Sequence, residues 1–482
     1  MTLQVPTRPF IDGDFQSGTG ASARPVSLIN PATEEAWCDV ASADASAVDR
    51  AVNGARRAFE QGWRDMTPGK RAEILFAVAR LIRQNTEELA RLDVRSVGKP
   101  ISDARDEVAL GARVFEYYAG AVGKFFGQTI PVARGGFDFT IRQPMGVVAA
   151  IVPWNFPFPI TCWKVAPALA AGNTVVLKPA QVSPVSALRL AALAHEAGLP
   201  AGVLQVLPGP GGEIGEALVR HPSVRKISFT GSTSVGSRIM QLAAGDIKRL
   251  SLELGGKSPN IVFADAAVDQ AAASSPMSVF ANTGQDCCAR SRVFVERPVF
   301  DRFVEGFVEA TRKIAVGDPA SESTQVGPLV SRQQRDTVES YLKSATQSRR
   351  HFAAGGGRPG NGSKGYYLDL AVVLGCEPSD KIWKEEVFGP VVCIRPFDDE
   401  EQMLREVNDS PYGLSGSLWT NDLKRALRVA RRVESGVLSI NSHSSVHVEA
   451  PFGGFKQSGL GRDLGMTAME GYTELKNVYV AE

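Results

Sequence analysis

The chain has 482 residues, too many for one hydrophobic core, because cores stop growing at roughly 250–300 residues and longer chains divide. Hydrophobic residues make up 44% and charged residues 22%, an ordinary globular balance that excludes collagen, coiled coil and disorder. Lys+Arg 53 against Asp+Glu 52 leaves a net charge of +1, so no global field favours nucleic acid or an anionic membrane.

Residues 1–20 contain Pro6, Pro9, Asp12 and Asp14 and no apolar signal-peptide core. No apolar run approaches the roughly 18 residues of a membrane span, and the most apolar stretch, Gly146 to Pro153, is too short. Residues 46–125 carry long helical patterns, one of which ends near Gly98-Lys99-Pro100. Residues 137–142 then alternate like an exposed strand. From residue 146 the pattern changes to short apolar strands alternating with helices: strands over 146–152, 174–177, 203–207 and 225–229, and helices over 160–171, 184–197 and 213–220. This series predicts a parallel sheet covered on both faces, with ligands at the carboxyl ends of its strands. A second α/β series follows residue 253, with strands over 260–263 and 292–296 and helices over 268–281 and 299–314. Gly355 to Gly362 reads as a surface loop. The basic run Lys424, Arg425, Arg428, Arg431 and Arg432 has helical spacing and reads as a solvated face. Residues 472–480 alternate like a strand in search of a partner, either residues 137–142 or another subunit.

Six cysteines without a CxxC pair form no disulfide framework, and a cytoplasmic protein is expected. No HExxH occurs, and His443 and His447 sit in loop-like sequence, so no metal is expected. Gly209 to Gly215 follows a strand and opens a helix, but its spacing is GxGxxxG; alone it reads as a tight turn. Gly255-Gly256-Lys257-Ser258 fails as a P-loop because Ser251 stands where the first glycine is required. No GxSxG elbow is present. Phe229-Thr230-Gly231-Ser232-Thr233 ends a strand and opens a helix, where backbone N–H groups can face an anion or pack in a close turn. Cys287 follows Gly284-Gln285-Asp286, which break the apolar pattern and put the thiol on a loop. Glu253 lies in an apolar run, where a carboxylate is costly without a task or a partner. Thiol and carboxylate together suit covalent catalysis followed by base-activated hydrolysis. Asn155 directly follows a buried strand, as an oxyanion donor or a turn residue.

The segments Pro153 to Pro157, Leu177 to Pro179, Phe229 to Thr233, Leu252 to Pro259, Gly284 to Cys287, Glu385 to Pro390 and Pro451 to Gly454, in this order, resemble the aldehyde dehydrogenase superfamily. The resemblance runs over nearly the whole chain and implies oxidation of an aldehyde to its acid with NAD, NADP remaining possible. It implies a Rossmann-like NAD(P)-binding domain (1–120 and 143–252), an α/β catalytic domain (253–451), and bridging strands (121–142 and 470–482) that pair subunits into a homodimer or homotetramer. Cys287 would be the nucleophile, Asn155 an oxyanion donor and Glu253 the hydrolytic base. Lys178 and Gln181 would face the adenosine ribose, Gly211 and Gly215 the adenine, and Ser232 with Gly231 the pyrophosphate. Glu386 would hold the nicotinamide ribose and Phe388 the ring, with Pro153, Trp154, Leu254 and Gly255 completing the cofactor site. Phe156, Ile160, Trp163, Asp286 and Val446 would line the aldehyde tunnel.

Two departures and one charge bear on specificity. Gln181 stands where NAD-preferring members commonly carry Glu, which weakens the repulsion of a 2′-phosphate. Asp463 stands where many members have Glu, so a water relay toward Glu253 would be one methylene shorter. Asp286 could pair with an ω-aminoaldehyde or turn away to cap a backbone N–H; a generalist for neutral aldehydes is the alternative. A non-catalytic scaffold would lack Cys287, Glu253 or Asn155, and a CoA-acylating relative would generally lack Glu253.

Overall fold

The computed structural model describes residues 5–16, 25–360 and 364–481; Asn361 and Gly362 of the expected surface loop lie outside the described residues. Five short strands form the parallel centre of the first sheet: β1 (Val147–Ile151), β2 (Thr174–Lys178), β3 (Leu204–Val206), β4 (Val224–Thr230) and β5 (Arg249–Glu253). All residues of β1, β2 and β3 are buried, as expected of strands covered on both faces. Their order is β5-β4-β1-β2-β3, so the chain builds outward from β1 on one side and returns to its other side with β4. That reversal makes the β1/β4 edge a topological switch point, where the carboxyl ends diverge and leave a crevice. Phe10–Ile11 and Asp14–Phe15 extend one edge antiparallel, and Gly459–Leu460 pairs with β5 on the other.

A second sheet of seven strands takes residues 259–440 and is parallel except for its edge strand His351–Ala354. Its amino-terminal side receives the chain directly from the end of β5, because Pro259–Val262 begins six residues after Glu253. A third sheet joins Thr129–Ile130, Phe137–Pro144 and Thr473–Val480, and the last two pair antiparallel from Thr473↔Pro144 to Val480↔Phe137. The C-terminal strand thus finds its partner within the chain, and the middle strand runs past Arg142 to Pro144.

Three helices matter for the site: α1 (Ile101–Ala121), α2 (Pro157–Ala170) and α3 (Thr233–Ala243). Gly98, at φ 74°, ends the preceding helix in the left-handed conformation that glycine adopts without strain, and α1 starts just after Pro100. Pro157 occupies the first turn of α2, where its missing N–H costs nothing, and every residue of α2 is buried between α1 and the sheet. Ser232 caps α3 by accepting a hydrogen bond from Val235 N–H at 3.4 Å.

One sequence expectation changes. The helix expected over 268–281 divides into Val268–Ser274 and Met277–Phe280, because Pro276 has no N–H to continue the first ladder. The basic run forms a helix (Leu423–Ala430), with Arg431 and Arg432 just beyond it, and its charged face is largely exposed, as expected; three of its guanidinium groups make surface ion pairs, Arg425 with Asp265 and Arg428 with Glu400, both at 2.8 Å, and Arg432 with Glu401. No helix among the described residues is long and apolar enough to cross a membrane.

Candidate active site

The crevice at the switch point opens into a cavity of about 310 Å³. Pro153, Trp154 and Asn155 line it from the end of β1, and Thr230, Gly231 and Ser232 from the end of β4. Leu254 and Gly255 follow from β5, and Glu386 and Phe388 face them from the second sheet's side. Eight of the twelve residues expected to hold a cofactor therefore meet here. Phe388 sits edge-on to Trp154 with ring centroids 5.4 Å apart, and Gln334 Nε2 donates to its backbone oxygen at 2.8 Å. Glu386 Oε1 accepts from Gly256 N–H at 2.9 Å, and burial pushes its carboxyl up to about 7. Lys178, Gln181, Gly211 and Gly215 lie outside this cavity. A Cβ on Gly215 would lie 3.7 Å from the Lys178 side chain, so those two are neighbours, while Gln181 and Gly211 are exposed. Lys178 Nζ is buried with the Pro179 carbonyl as acceptor at 2.7 Å, and desolvation lowers its pKa to about 8. Buried cation, capped helix end and carboxylate around one crevice are a donor set that fits a dinucleotide.

Cys287 borders this cavity and a second one of about 330 Å³, and Thr230 is the other residue the two share. The loop that carries the thiol is held at several points. Asn282 Nδ2 donates to the Asn155 carbonyl at 2.9 Å and to the Gln285 carbonyl at 3.1 Å; Gln285 Oε1 accepts from Val330 N–H at 2.9 Å. Asn282 and Thr283 have φ of 51° and 60°, which costs about 1–2 kcal/mol per residue and persists only where packing over-determines it. Asn155 is buried; one N–H of its amide donates to the Gln285 carbonyl at 3.0 Å, and the other is free for a ligand. The thiol pKa is raised well above the ordinary value by its hydrogen bond to Cys288, by burial and by the charges of Asp286 and Glu386.

Glu253 ends β5 inside the second cavity, 4% exposed, with Oε2 lacking a partner. Burial first, then Asp463, push its carboxyl well above the usual range. Asp463 is itself buried and accepts from Lys164 Nζ at 2.9 Å; Lys164 also donates to Ser228 Oγ at 3.2 Å.

The second cavity is walled by α2 through Phe156, Pro159, Ile160 and Trp163, by Val446, and by α1 through Glu107 and Leu110. All five residues expected in a substrate tunnel border it. Asp286, however, accepts from Cys288 N–H through Oδ1 at 2.8 Å, so one of its oxygens caps the loop. Burial raises its carboxyl, opposed by that hydrogen bond and by Arg290 and Lys99. Asp286, Cys287 and Cys288 offer donor atoms within 4.8 Å of one another. His443 bonds the hydroxyls of Ser417 and Ser275 through its two ring nitrogens, and burial lowers its pKa to about 3. Sequence reading missed Glu107, Leu110 and Phe452 in this wall. Glu107 had left a signal, a carboxylate three residues from Ala104 and four from Gly111 on the buried stripe of α1.

A parallel sheet with its crevice at the switch point, meeting an apolar cavity at Cys287, is an arrangement that fits a nucleotide-dependent enzyme. The chain belongs to the aldehyde dehydrogenase family, whose profile matches residues 18–478. It is 41% identical over 477 residues to the aldehyde dehydrogenase of Emericella nidulans, covering 99% of this chain and 95% of that one. It is similar to a mutant of the indole-3-acetaldehyde dehydrogenase AldA of P. syringae, solved in complex with NAD+ and IAA. There the TM-score is 0.97 and the identity 41%, over 100% of this chain and 98% of that one. It is also similar to the NAD+ complex of betaine aldehyde dehydrogenase from Staphylococcus aureus, with a TM-score of 0.96 and 34% identity over 99% and 95% of the two chains. The protein is an aldehyde-oxidising enzyme of this family.

Proposed function

We propose that Cys287, Asn155 and Glu253 carry an NAD-dependent oxidation of neutral apolar aldehydes to carboxylic acids, with aromatic ones well accommodated. The observation that carries this reading is the position of Cys287 at the meeting of two cavities, with Asn155 bordering one and Glu253 the other. An aldehyde in the apolar cavity presents its carbonyl carbon to Sγ. Cys287 attacks as the thiolate, its proton having been released to solvent; as the C–S bond forms, the carbonyl electron pair moves to oxygen, where the free N–H of Asn155 and the Cys287 backbone N–H stabilise the oxyanion. NAD+, when bound, would supply the hydride acceptor that takes the aldehyde hydrogen and leaves the thioester. Glu253 then takes a proton from water as that oxygen attacks the thioester carbonyl; the C–S bond breaks and the thiolate is restored. Pro153, Trp154, Gly231, Ser232, Leu254, Gly255, Glu386 and Phe388 would hold the dinucleotide, with Lys178, Gln181, Gly211 and Gly215 toward its adenosine half. The exposed Gln181 offers no carboxylate against a 2′-phosphate, so NADP is a secondary cofactor.

The wall of Phe156, Ile160, Trp163 and Val446 favours apolar aldehydes over ω-aminoaldehydes, because Asp286 spends one oxygen on Cys288 N–H and feels the buried Arg290. The P. syringae relative, an indole-3-acetaldehyde dehydrogenase, suits the same class. Six free cysteines fit the reducing cytoplasm. The C-terminal strand lies at the edge of its sheet with Leu475, Tyr479 and Val480 exposed, which supports a homodimer or homotetramer joined there. The test is NADH and NADPH formation over aliphatic, aromatic and ω-amino aldehydes. Neutral aldehydes should lead, and Asp286→Asn should leave the ranking intact. Aminoaldehydes leading in the native enzyme and not in Asp286→Asn would reverse the substrate assignment. Turnover surviving Cys287→Ala would overturn the mechanism.

A further inference from the structure

The loop that carries Cys287 also brings together three donor atoms of a kind that metal ions take. One carboxylate oxygen of Asp286 and the sulfurs of Cys287 and Cys288 all lie within 4.8 Å of one another. The ligand atoms of a tetrahedral zinc stand about 3.6–3.8 Å apart, a shortfall of about 1 Å that side-chain rotation can close. The donors are held in place from behind. Cys288 N–H donates to Asp286 Oδ1 at 2.8 Å, which fixes the carboxylate and leaves its other oxygen for a ligand. The Cys288 carbonyl accepts from Arg290 Nη1, and Arg290 in turn donates to Ser417 Oγ at 3.0 Å and Ser445 Oγ at 2.5 Å. Outer contacts of this sort orient metal ligands. Asp286 and Cys288 border the aldehyde cavity and also a further cavity of about 490 Å³, whose wall includes the exposed Gln270, Ser274 and Asn441. A hydrated ion therefore reaches the three donors from the surface.

Two sulfurs and one carboxylate make a soft donor set. It suits Zn2+ or Cd2+ and disfavours Mg2+ and Ca2+, which take oxygen ligands. Cys288, which the oxidation does not use, supplies the second sulfur. We propose that Asp286, Cys287 and Cys288 form an inhibitory site for a thiophilic divalent cation, which occupies the nucleophile reversibly. On binding, each thiol releases its proton to solvent, and two metal–sulfur bonds form without any change of oxidation state. Three protein ligands leave the fourth position of the tetrahedron to water. The ion acts here as an inhibitor and not as a resident cofactor. The inhibition rests on Cys287 being the nucleophile; the binding does not.

Titration with Cd2+, followed by its thiolate charge-transfer absorption, reads the binding directly. The double variant Cys287→Ala with Cys288→Ala sets the background from the other free cysteines. Above that background the native enzyme should bind a single Cd2+ per chain, with a band about twice that of either single variant, as two thiolates against one require. Cys288→Ala should still turn over, yet its affinity for Cd2+ and Zn2+ should fall by at least about a hundredfold, since even a group that only orients a ligand is worth about 10–100-fold. Asp286→Asn, compared with its own uninhibited rate, should also bind more weakly. Zn2+ should inhibit the native enzyme at concentrations where Mg2+ does nothing, and a chelator should restore activity. Equal affinities in native enzyme and Cys288→Ala, or a native band no stronger than that of Cys288→Ala, overturn the proposal, because one thiol alone then captures the ion. Should Cys288→Ala fail to fold, Cys288→Ser removes the sulfur with little change of volume and decides the same point. If the native enzyme oxidises no aldehyde, the proposed function fails and the absorption titration still decides the site.

Discussion

Gly256→Ala should inactivate the enzyme while leaving it folded. A Cβ at this position would come closer than 3.0 Å to the backbone oxygen of Cys287, a separation that real Cβ atoms essentially never show, and would lie 3.3 Å from Leu414 Cβ. The obstacle is a backbone carbonyl of the Cys287 loop and not the far end of a flexible side chain, so relief requires the loop itself to retreat by roughly 1 Å. A displacement of about 1 Å at a reacting group costs on the order of 10²-fold in rate. Overpacking should cost about 1–3 kcal/mol of stability, less than the roughly 5–15 kcal/mol by which folded proteins are stable. Gly255→Ala provides the contrast: its Cβ would meet the Glu386 carboxylate, a side-chain end that can swing aside, so KM for the cofactor should rise more than kcat falls. Gly69, with nothing within 4 Å of its Cβ position at the start of a helix, is the control, and Gly69→Ala should be neutral or slightly stabilising. The assay is kcat and KM for one good aldehyde, beside the melting temperature of each variant. Native kcat in a folded Gly256→Ala protein would refute the claim that this contact sets the position of the thiol.

Glu253→Gln should release one burst of NADH per site and then stall, because the thioester forms and waits for a base; a steady state within twofold of native, read by rapid mixing, would exclude Glu253 from hydrolysis. Lys164→Met leaves the buried Asp463 carboxylate without its cation and should cost about 3–5 kcal/mol in chemical denaturation, much of it recovered in Lys164→Met with Asp463→Leu. The Glu386 carboxyl, raised to about 7 by burial, keeps its proton in the folded state where the unfolded chain has already lost it near 4.5. The folded state therefore binds more protons between those values, and its contribution to stability falls as pH rises from about 4.5 to 7. The urea midpoint of Glu386→Gln should decline less over that window than the native midpoint does, and parallel curves would contradict the raised pKa.

The first sheet was legible because its strands are local. Val147 to Ile151 is a continuous apolar run between turns and Thr174 to Lys178 has Val175 to Leu177 at its centre, which is what burial on both faces demands of short strands. The places where sequence reading slipped have equally specific causes. Pro276 stops a ladder within an otherwise helical apolar pattern, and periodicity registers the pattern but not the missing N–H. Asp286 shows the limit of identity without direction: the type and place of the residue suggest a counter-ion, and only its bond to Cys288 N–H shows that one oxygen is engaged.

The harder cases are charges whose partners come from far along the chain. Lys164 lies in an all-buried helix and meets Asp463 from 299 residues away, a pairing that no local pattern encodes. Glu107 is eight residues from Lys99, yet the facts that matter about it are tertiary: which oxygen the lysine holds, which one is buried without a partner, and that the residue lines a cavity walled on another side by α2. A carboxylate on a buried helical stripe is improbable on solvation grounds alone, and that improbability was readable before any fold was known. The fold adds the direction of the group. One oxygen of Glu107 is held by Lys99 and the other is buried without a partner, a direction that no helical pattern records.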